Sequence, residues 1–189
     1  MKLLSFRPPR ARVDHFGVLL SNGQALDISE AKSGRGLPDS LIECIRGGAD
    51  SLARVRDALA QAEHKLSAGS HEHLVSLDSV TARPPLIPGK IMAIGKNYSD
   101  HAAEVGSAAY SRPAGFIKHV DTLIANGDTI RKPAWTEKLD YETELAVVIA
   151  DECVDVPPEE VYEHVFGYTI MNDLSARDPS VVWNLFGLI

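Results

Sequence analysis

Cysteine is scarce: Cys44 and Cys153 are the only two in 189 residues, and neither has finger-like spacing. That excludes a disulfide scaffold and a thiolate-built zinc site, and predicts two buried thiols in a reducing compartment. Long hydrophobic runs are also missing. The first twenty residues carry Lys2, Arg7, Arg10, Arg12 and Asp14, so they read neither as a signal peptide nor as a membrane span, and the cytoplasm is expected. Basic residues are outnumbered, 19 against 26 acidic, for a formal charge of −7. No Lys/Arg cluster is interleaved with aromatics, which argues against nucleic acid as a partner. Repeats and low-complexity tracts are absent. What is present is a 44% hydrophobic content, well above that of a disordered chain and sufficient for a core.

The pattern of apolar residues predicts a small α+β unit first. Lys2–Phe6 and His15–Leu20 read as strands, and Ser21-Asn22-Gly23 as a turn that folds Phe16–Ile28 into a hairpin. Lys32–Gly36 is a polar loop. Leu37–Arg46 reads as a helix stopped by Gly47-Gly48, and Asp50 as the cap of a second helix. In that second helix Leu52, Val55, Leu59, Ala62 and Leu66 recur every three or four residues, which marks one packing face. His71 and His73 lack a third nearby ligand and are expected as exposed loop or strand-edge residues. The stiff Arg83–Gly89 segment, with Pro84, Pro85 and Pro88, cannot be helical. It sets the expected division into a domain of residues 1–85 and a second of residues 86–189.

Beyond it, Ile91–Ile94 reads as a short strand, Ser99–Val105 as one or two helical turns, and Phe116–Lys118 and Leu123–Ala125 as extended pieces. Asn126-Gly127-Asp128 is a turn. Leu139–Ala150 has the strongest strand pattern, Pro157 to about Val165 starts as a helix should, and Tyr168–Asn172 is another strand.

Three segments carry chemistry. On one strand Asp140, Glu142 and Glu144 share a face beside the apolar Leu145–Ile149. Carboxylates so placed repel one another, and a hard divalent ion with oxygen ligands offsets that directly; a solvated acidic edge strand is the equal alternative. At the end of the next strand Asp173 could add a third ligand, or Asn172-Asp173 could be turn chemistry, with Arg177 and Asp178 pairing structurally. On the short helix His101 and Glu104 stand at i and i+3. A carboxylate there orients an imidazole for general-base work on water, although a surface His–Glu pair gives the same spacing.

Taken in order, Gly95-Lys96-Asn97-Tyr98-Ser99-Asp100-His101-Ala102-Ala103-Glu104, Phe116-Ile117-Lys118, Asn126-Gly127-Asp128, Leu139 to Ile149, and Gly167-Tyr168-Thr169 with Asn172 to Asp178 resemble the fumarylacetoacetate hydrolase superfamily. The resemblance spans about Lys90 to Asp178. It implies an α+β protein: a small N-terminal α+β domain followed by an incomplete mixed β-roll whose cavity holds one Mg²⁺ or Mn²⁺. It implies Glu142, Glu144 and Asp173 as metal ligands, His101 and Glu104 as the catalytic pair on a lid helix, Lys118 as a substrate-binding lysine, and Asp140 in support. It further implies a homodimer acting on a small 2-oxo acid, as in the catabolism of aromatic compounds. The metal would stabilise an enolate during acylpyruvate hydrolysis, oxaloacetate decarboxylation or hydroxymuconate-type isomerisation.

The pattern departs from the family in places. His119 stands where a proline often follows Lys118, and Lys96 occupies a variable position, which bears on substrate identity. After Asp178 the stretch Pro179 to Ile189 does not resemble the family's continuation, and a truncation or frame change near Asp178 is expected. Two hypotheses follow: a metal-dependent hydrolase, lyase or isomerase, or a non-catalytic remnant retaining at most metal binding or dimerisation.

Overall fold

The computed structural model describes residues 1–32, 36–95, 97–98 and 112–178. Strands β1 (Leu3–Arg7), β2 (His15–Leu19), β3 (Ala25–Asp27), β4 (Leu74–Val75) and β5 (Thr81–Arg83) form one antiparallel sheet in the order β4-β3-β2-β1-β5. Across its centre Leu3 faces Val18 and Phe6 faces His15. Gly17 in β2 is a close-approach position, because a Cβ there would lie 2.7 Å from the Phe6 ring and 2.8 Å from the Leu26 carbonyl oxygen.

Three helices cover the sheet: α1 (Ile28–Ala31), α2 (Leu41–Arg46) and α3 (Gly48–Ser67). The expected hairpin strand therefore gives way to helix at Ile28. The buried Asp27 caps α1 by accepting from the Glu30 amide and also meets His15 Nδ1 at 2.7 Å. The second helix begins at Leu41 rather than Leu37, since Pro38 bars its predecessor from helical backbone and Ser40 caps the later start. Gly47 closes α2, and Gly48, at φ +58°, opens α3 three residues earlier than a cap at Asp50 would place it. The face of α3 is rotated slightly from the expected one: Ser51, Val55, Ala58 and Ala62 are buried, while Leu52, Leu59 and Leu66 pack half-covered around them. With Phe16, Val18, Leu20, Leu26, Ile28 and Leu41 they make the core. His71 and His73 are exposed, as expected.

The rest of the described chain forms three two-stranded antiparallel sheets: β6 (Ile91–Gly95) with β7 (Ala114–Lys118), β8 (Leu139–Asp140) with β11 (Ser175–Ala176), and β9 (Thr143–Ile149) with β10 (Val165–Asn172). Phe166 in β10 packs against the amino-terminal core. The expected single strand Leu139–Ala150 is broken at Tyr141-Glu142, because an Asn172 side chain takes the Glu142 amide, at 3.1 Å, out of any regular ladder. The expected helix from Pro157 to Val165 is only a tight turn over Val161–His164 with i to i+3 bonds. Val161 and Tyr162 are exposed, so no apolar stripe supports a longer helix. Cys44 is buried, and burial pushes its thiol pKa up, but Cys153 is exposed in the turn after β9, against expectation. Among the described residues no helix is long and apolar enough to cross a membrane.

Candidate functional site

The carboxylates singled out by the sequence lie where β9 and β10 end together. Asn172 is paired with Thr143 and Met171 with Glu144. One residue beyond each strand, the Asp173 amide donates to the Glu142 carbonyl oxygen at 2.7 Å. Glu142 and Asp173 are thus stitched side by side through backbone, from positions 31 residues apart in sequence. Ser175 completes the stitch: its hydroxyl donates to Glu142 Oε2 at 3.0 Å and lies 3.2 Å from the Asp173 carbonyl oxygen. Ser175 was not singled out by sequence reasoning, although it lies two residues past Asp173 in the same motif.

Two protein cations sit on these acids. Lys118, at the end of β7, puts its ammonium on Asp173 Oδ1, and Asp173 is 5% exposed. Burial pushes the Lys118 pKa below its ordinary value, and the charge of Glu142 only partly offsets this. Arg177 donates from Nη2 to Glu142 Oε1 and from Nε to Asp140 Oδ2, the latter at 3.1 Å. Burial works against the guanidinium charge, but the hydrogen bonds to Glu142 and Asp140 outweigh it and hold its pKa above the usual value. Arg177 therefore bridges two carboxylates, one at the end of β8 and the other in the break at Tyr141-Glu142. It does not pair with Asp178. That carboxylate instead accepts from the Thr136 hydroxyl and from the amides of Glu137 and Lys138.

Glu144 is half-buried on β9, two residues beyond Glu142, and makes no ion pair among the described residues. The Leu145 amide next to it donates to the Tyr98 hydroxyl at 3.3 Å. This bond ties β9 to the segment leading to His101 and Glu104. Those two residues, and the expected Ser99–Val105 helix, lie outside the described residues.

In kind, Glu142, Glu144 and Asp173 suit a hard divalent cation, being oxygen donors without thiolate or imidazole. In arrangement, Glu142 and Asp173 are committed to Arg177 and Lys118. Among the described residues no three of His, Cys, Asp or Glu are gathered closely enough to hold an ion.

Residues 90–182 match the family described as fumarylacetoacetate hydrolase C-terminal. The chain belongs to the fumarylacetoacetate hydrolase superfamily. It is 39% identical over 171 residues to the oxaloacetate tautomerase YisK of Bacillus subtilis, a match covering 86% of this chain and 56% of that one. Its fold is similar to that of a fumarylacetoacetate hydrolase from Exiguobacterium antarcticum, with a TM-score of 0.62, 30% identity, and 94% of this chain and 57% of that chain covered. It is also similar to maleylpyruvate hydrolase from Sphingobium sp. SYK-6, solved with manganese(II) ion and pyruvate (TM-score 0.64, 25% identity, 94% and 60% covered). The mixed α and β architecture is thus that of superfamily members, of which this chain spans a little over half the length.

Proposed function

We propose that this superfamily member acts on a small 2-oxo acid at the junction of β9 and β10, with Glu142, Glu144 and Asp173 holding Mg²⁺ or Mn²⁺. The observation that carries the reading is the stitch between Glu142 and Asp173, flanked by Lys118 and Arg177. When bound, the ion supplies Lewis acidity toward the keto oxygen of the substrate. The chain's own residues do the rest. Lys118, partly buried and positive beside Asp173, supplies charge for a substrate carboxylate. His101, backed by Glu104, takes or returns a proton at the substrate carbon or at water. Ser175 and Arg177 hold the Glu142 carboxylate in one orientation, in the manner of outer-shell partners of a ligand. The curated relative YisK is an oxaloacetate tautomerase and the Sphingobium structure holds manganese and pyruvate, which makes oxaloacetate the first substrate to try and acetylpyruvate the second.

The test is turnover of these acids with and without Mg²⁺ or Mn²⁺. In Glu142→Gln, metal-dependent turnover falls by about 100-fold or more, because several kcal/mol of charge stabilisation is withdrawn. Turnover that survives in Glu142→Gln sinks the reading. The ion pairs of Lys118 and Arg177 favour a second reading, a non-catalytic module whose acids are neutralised within the chain. That reading requires no turnover and no rise in melting temperature on adding either metal, whereas a bound ion stabilises by mass action.

A further inference from the structure

The strand pairs β8–β11 and β9–β10 keep one register. Asp140 stands opposite Ser175, and Thr143 opposite Asn172. Between them lie two residues on each side, Tyr141-Glu142 facing Asp173-Leu174. The break is therefore an interruption without slippage, unlike a bulge, which inserts an extra residue on one strand. Register alone sets Glu142 directly opposite Asp173. Two acids so placed repel each other and destabilise an ordinary ladder.

The hydrogen bonds show what holds the interruption open. In a regular hydrogen-bonded pair, opposite residues exchange both N–H···O bonds. One of these is present, from the Asp173 amide to the Glu142 carbonyl oxygen at 2.7 Å. The other is diverted. The Glu142 amide donates to Asn172 Oδ1 at 3.1 Å, and the Asp173 carbonyl oxygen lies 3.2 Å from the Ser175 hydroxyl. Glu142 is thus gripped at its amide, at its carbonyl oxygen and, by Ser175, at its carboxylate. Asn172 accounts for two of those grips: its side chain takes the N–H, and the peptide that follows it supplies the donor to the C=O. With both flanking peptides pinned, the direction in which the Glu142 side chain leaves its Cα is fixed. Ser175 and Arg177 act on the far end of that side chain; Asn172 acts at its root. Asn172 is itself exposed and adds no apolar packing.

We infer that Asn172 is a positioning residue for the candidate site. By holding the Glu142 amide out of the ladder, it fixes where the Glu142 carboxylate stands relative to Asp173, and so the readiness of the two to share an ion. The inference rests on the metal reading proposed above, and Asn172 acts through Glu142 rather than on the ion. Loss of a partner that orients a ligand lowers metal affinity by about 10- to 100-fold.

The test compares the full chain with Asn172→Leu, which keeps the size but removes the acceptor, and with Asn172→Asp, which keeps an acceptor oxygen at the same reach. Mn²⁺ binding is followed by calorimetry, and exchange of individual amides by NMR. In Asn172→Leu the Glu142 amide should exchange about ten-fold faster or more, and Mn²⁺ should bind about ten-fold more weakly or worse. Amides within residues 165–171 should keep their protection, and the melting temperature without metal should stay within about 2 °C. In Asn172→Asp the protection of the Glu142 amide should return. A wild-type chain that takes up no Mn²⁺ would sink the metal reading, and this inference with it, whatever the amides do. If the wild type binds Mn²⁺ and Asn172→Leu binds it equally well, Asn172 alone loses its role and the metal reading stands. Loss of protection along the whole of β10 also overturns the inference, because Asn172 would then serve the strand pair and not the site.

Discussion

Phe16, Val18 and Ile28, in the first part of the chain, are 1% exposed or less, whereas Leu145, Ile149 and Ile170, of similar size and chemistry, are more than half open. The two regions are built from similar strands, so the difference lies in what covers them. In the first region α3 lies along a five-stranded sheet and its buried face closes the core. In the second there are three separate sheets of two strands, and two of them, β6–β7 and β9–β10, present apolar rows that stay open to solvent. Burial is worth about 25 cal/mol per Å² of apolar surface removed from water, so the buried residues of the first region contribute stabilisation that the exposed rows of the second do not. The second contributes instead a charged junction, where Glu142, Asp140 and Asp173 meet Arg177 and Lys118. The comparison teaches that alternation in a strand specifies which face must be covered, not that the covering is local.

The sharpest way to break this contrast is to truncate matched apolar residues on either side of it. Phe16→Ala should lower unfolding free energy by about 3–5 kcal/mol, since it removes a fully buried ring and leaves a cavity. Ile170→Ala, at an exposed position, should change it by less than about 0.5 kcal/mol. Urea unfolding of both variants checks this, and equal losses would mean that Ile170 is covered in the free chain. A smaller effect sharpens the same point within the first region. Gly17→Ala forces a Cβ to within 3 Å of the Phe6 ring and the Leu26 carbonyl oxygen, and overpacking of this kind costs about 1–3 kcal/mol. A neutral result in the same urea assay would show that the Phe6 ring gives way freely.

How far the sequence foretold all this depends on the range of the interaction. Strands β1 and β2, the glycine stop at Gly47-Gly48 and the packing stripe of α3 are local patterns, and each was legible to within a few residues. The stripe's rotation toward Ser51 and Ala58 was not, because small side chains carry little periodic signal yet allow the closest approach to the sheet. At the candidate site the motif residues named Glu142 and Asp173. Their side-by-side placement follows from strand pairing, which the expectation of neighbouring strands anticipated in outline. The cations on them were not legible in position: Lys118 reaches Asp173 across 55 residues and Arg177 reaches Glu142 across 35. Only the fold decides which of 19 basic residues meets which acid. The break at Tyr141-Glu142 was likewise hidden, since it depends on an Asn172 side chain from the partner strand.

The weakest predicted effect probes the edge of the charged junction. Hydrogen bonding from the buried Thr136 hydroxyl, joined by the Lys138 and Glu137 amides, holds the Asp178 carboxyl below its ordinary pKa. A carboxylate depressed in the folded state stabilises that state at pH values above the unfolded pKa of about 3.9, and its contribution fades as pH falls through the lower folded value. The turn from Pro133 to Lys138, which Asp178 ties to the strand pair β8–β11, should therefore loosen only in acid below that range. Followed by NMR, the Lys138 amide shift should titrate with a midpoint under about 3.9, and Asp178→Asn should abolish the titration while leaving the core residues around Val55 unmoved. A midpoint at or above the ordinary aspartate value would show that Thr136 does not donate to this carboxylate in solution. In that case the junction would end at Arg177, and the second region would have one fewer polar tie to set against its uncovered apolar rows.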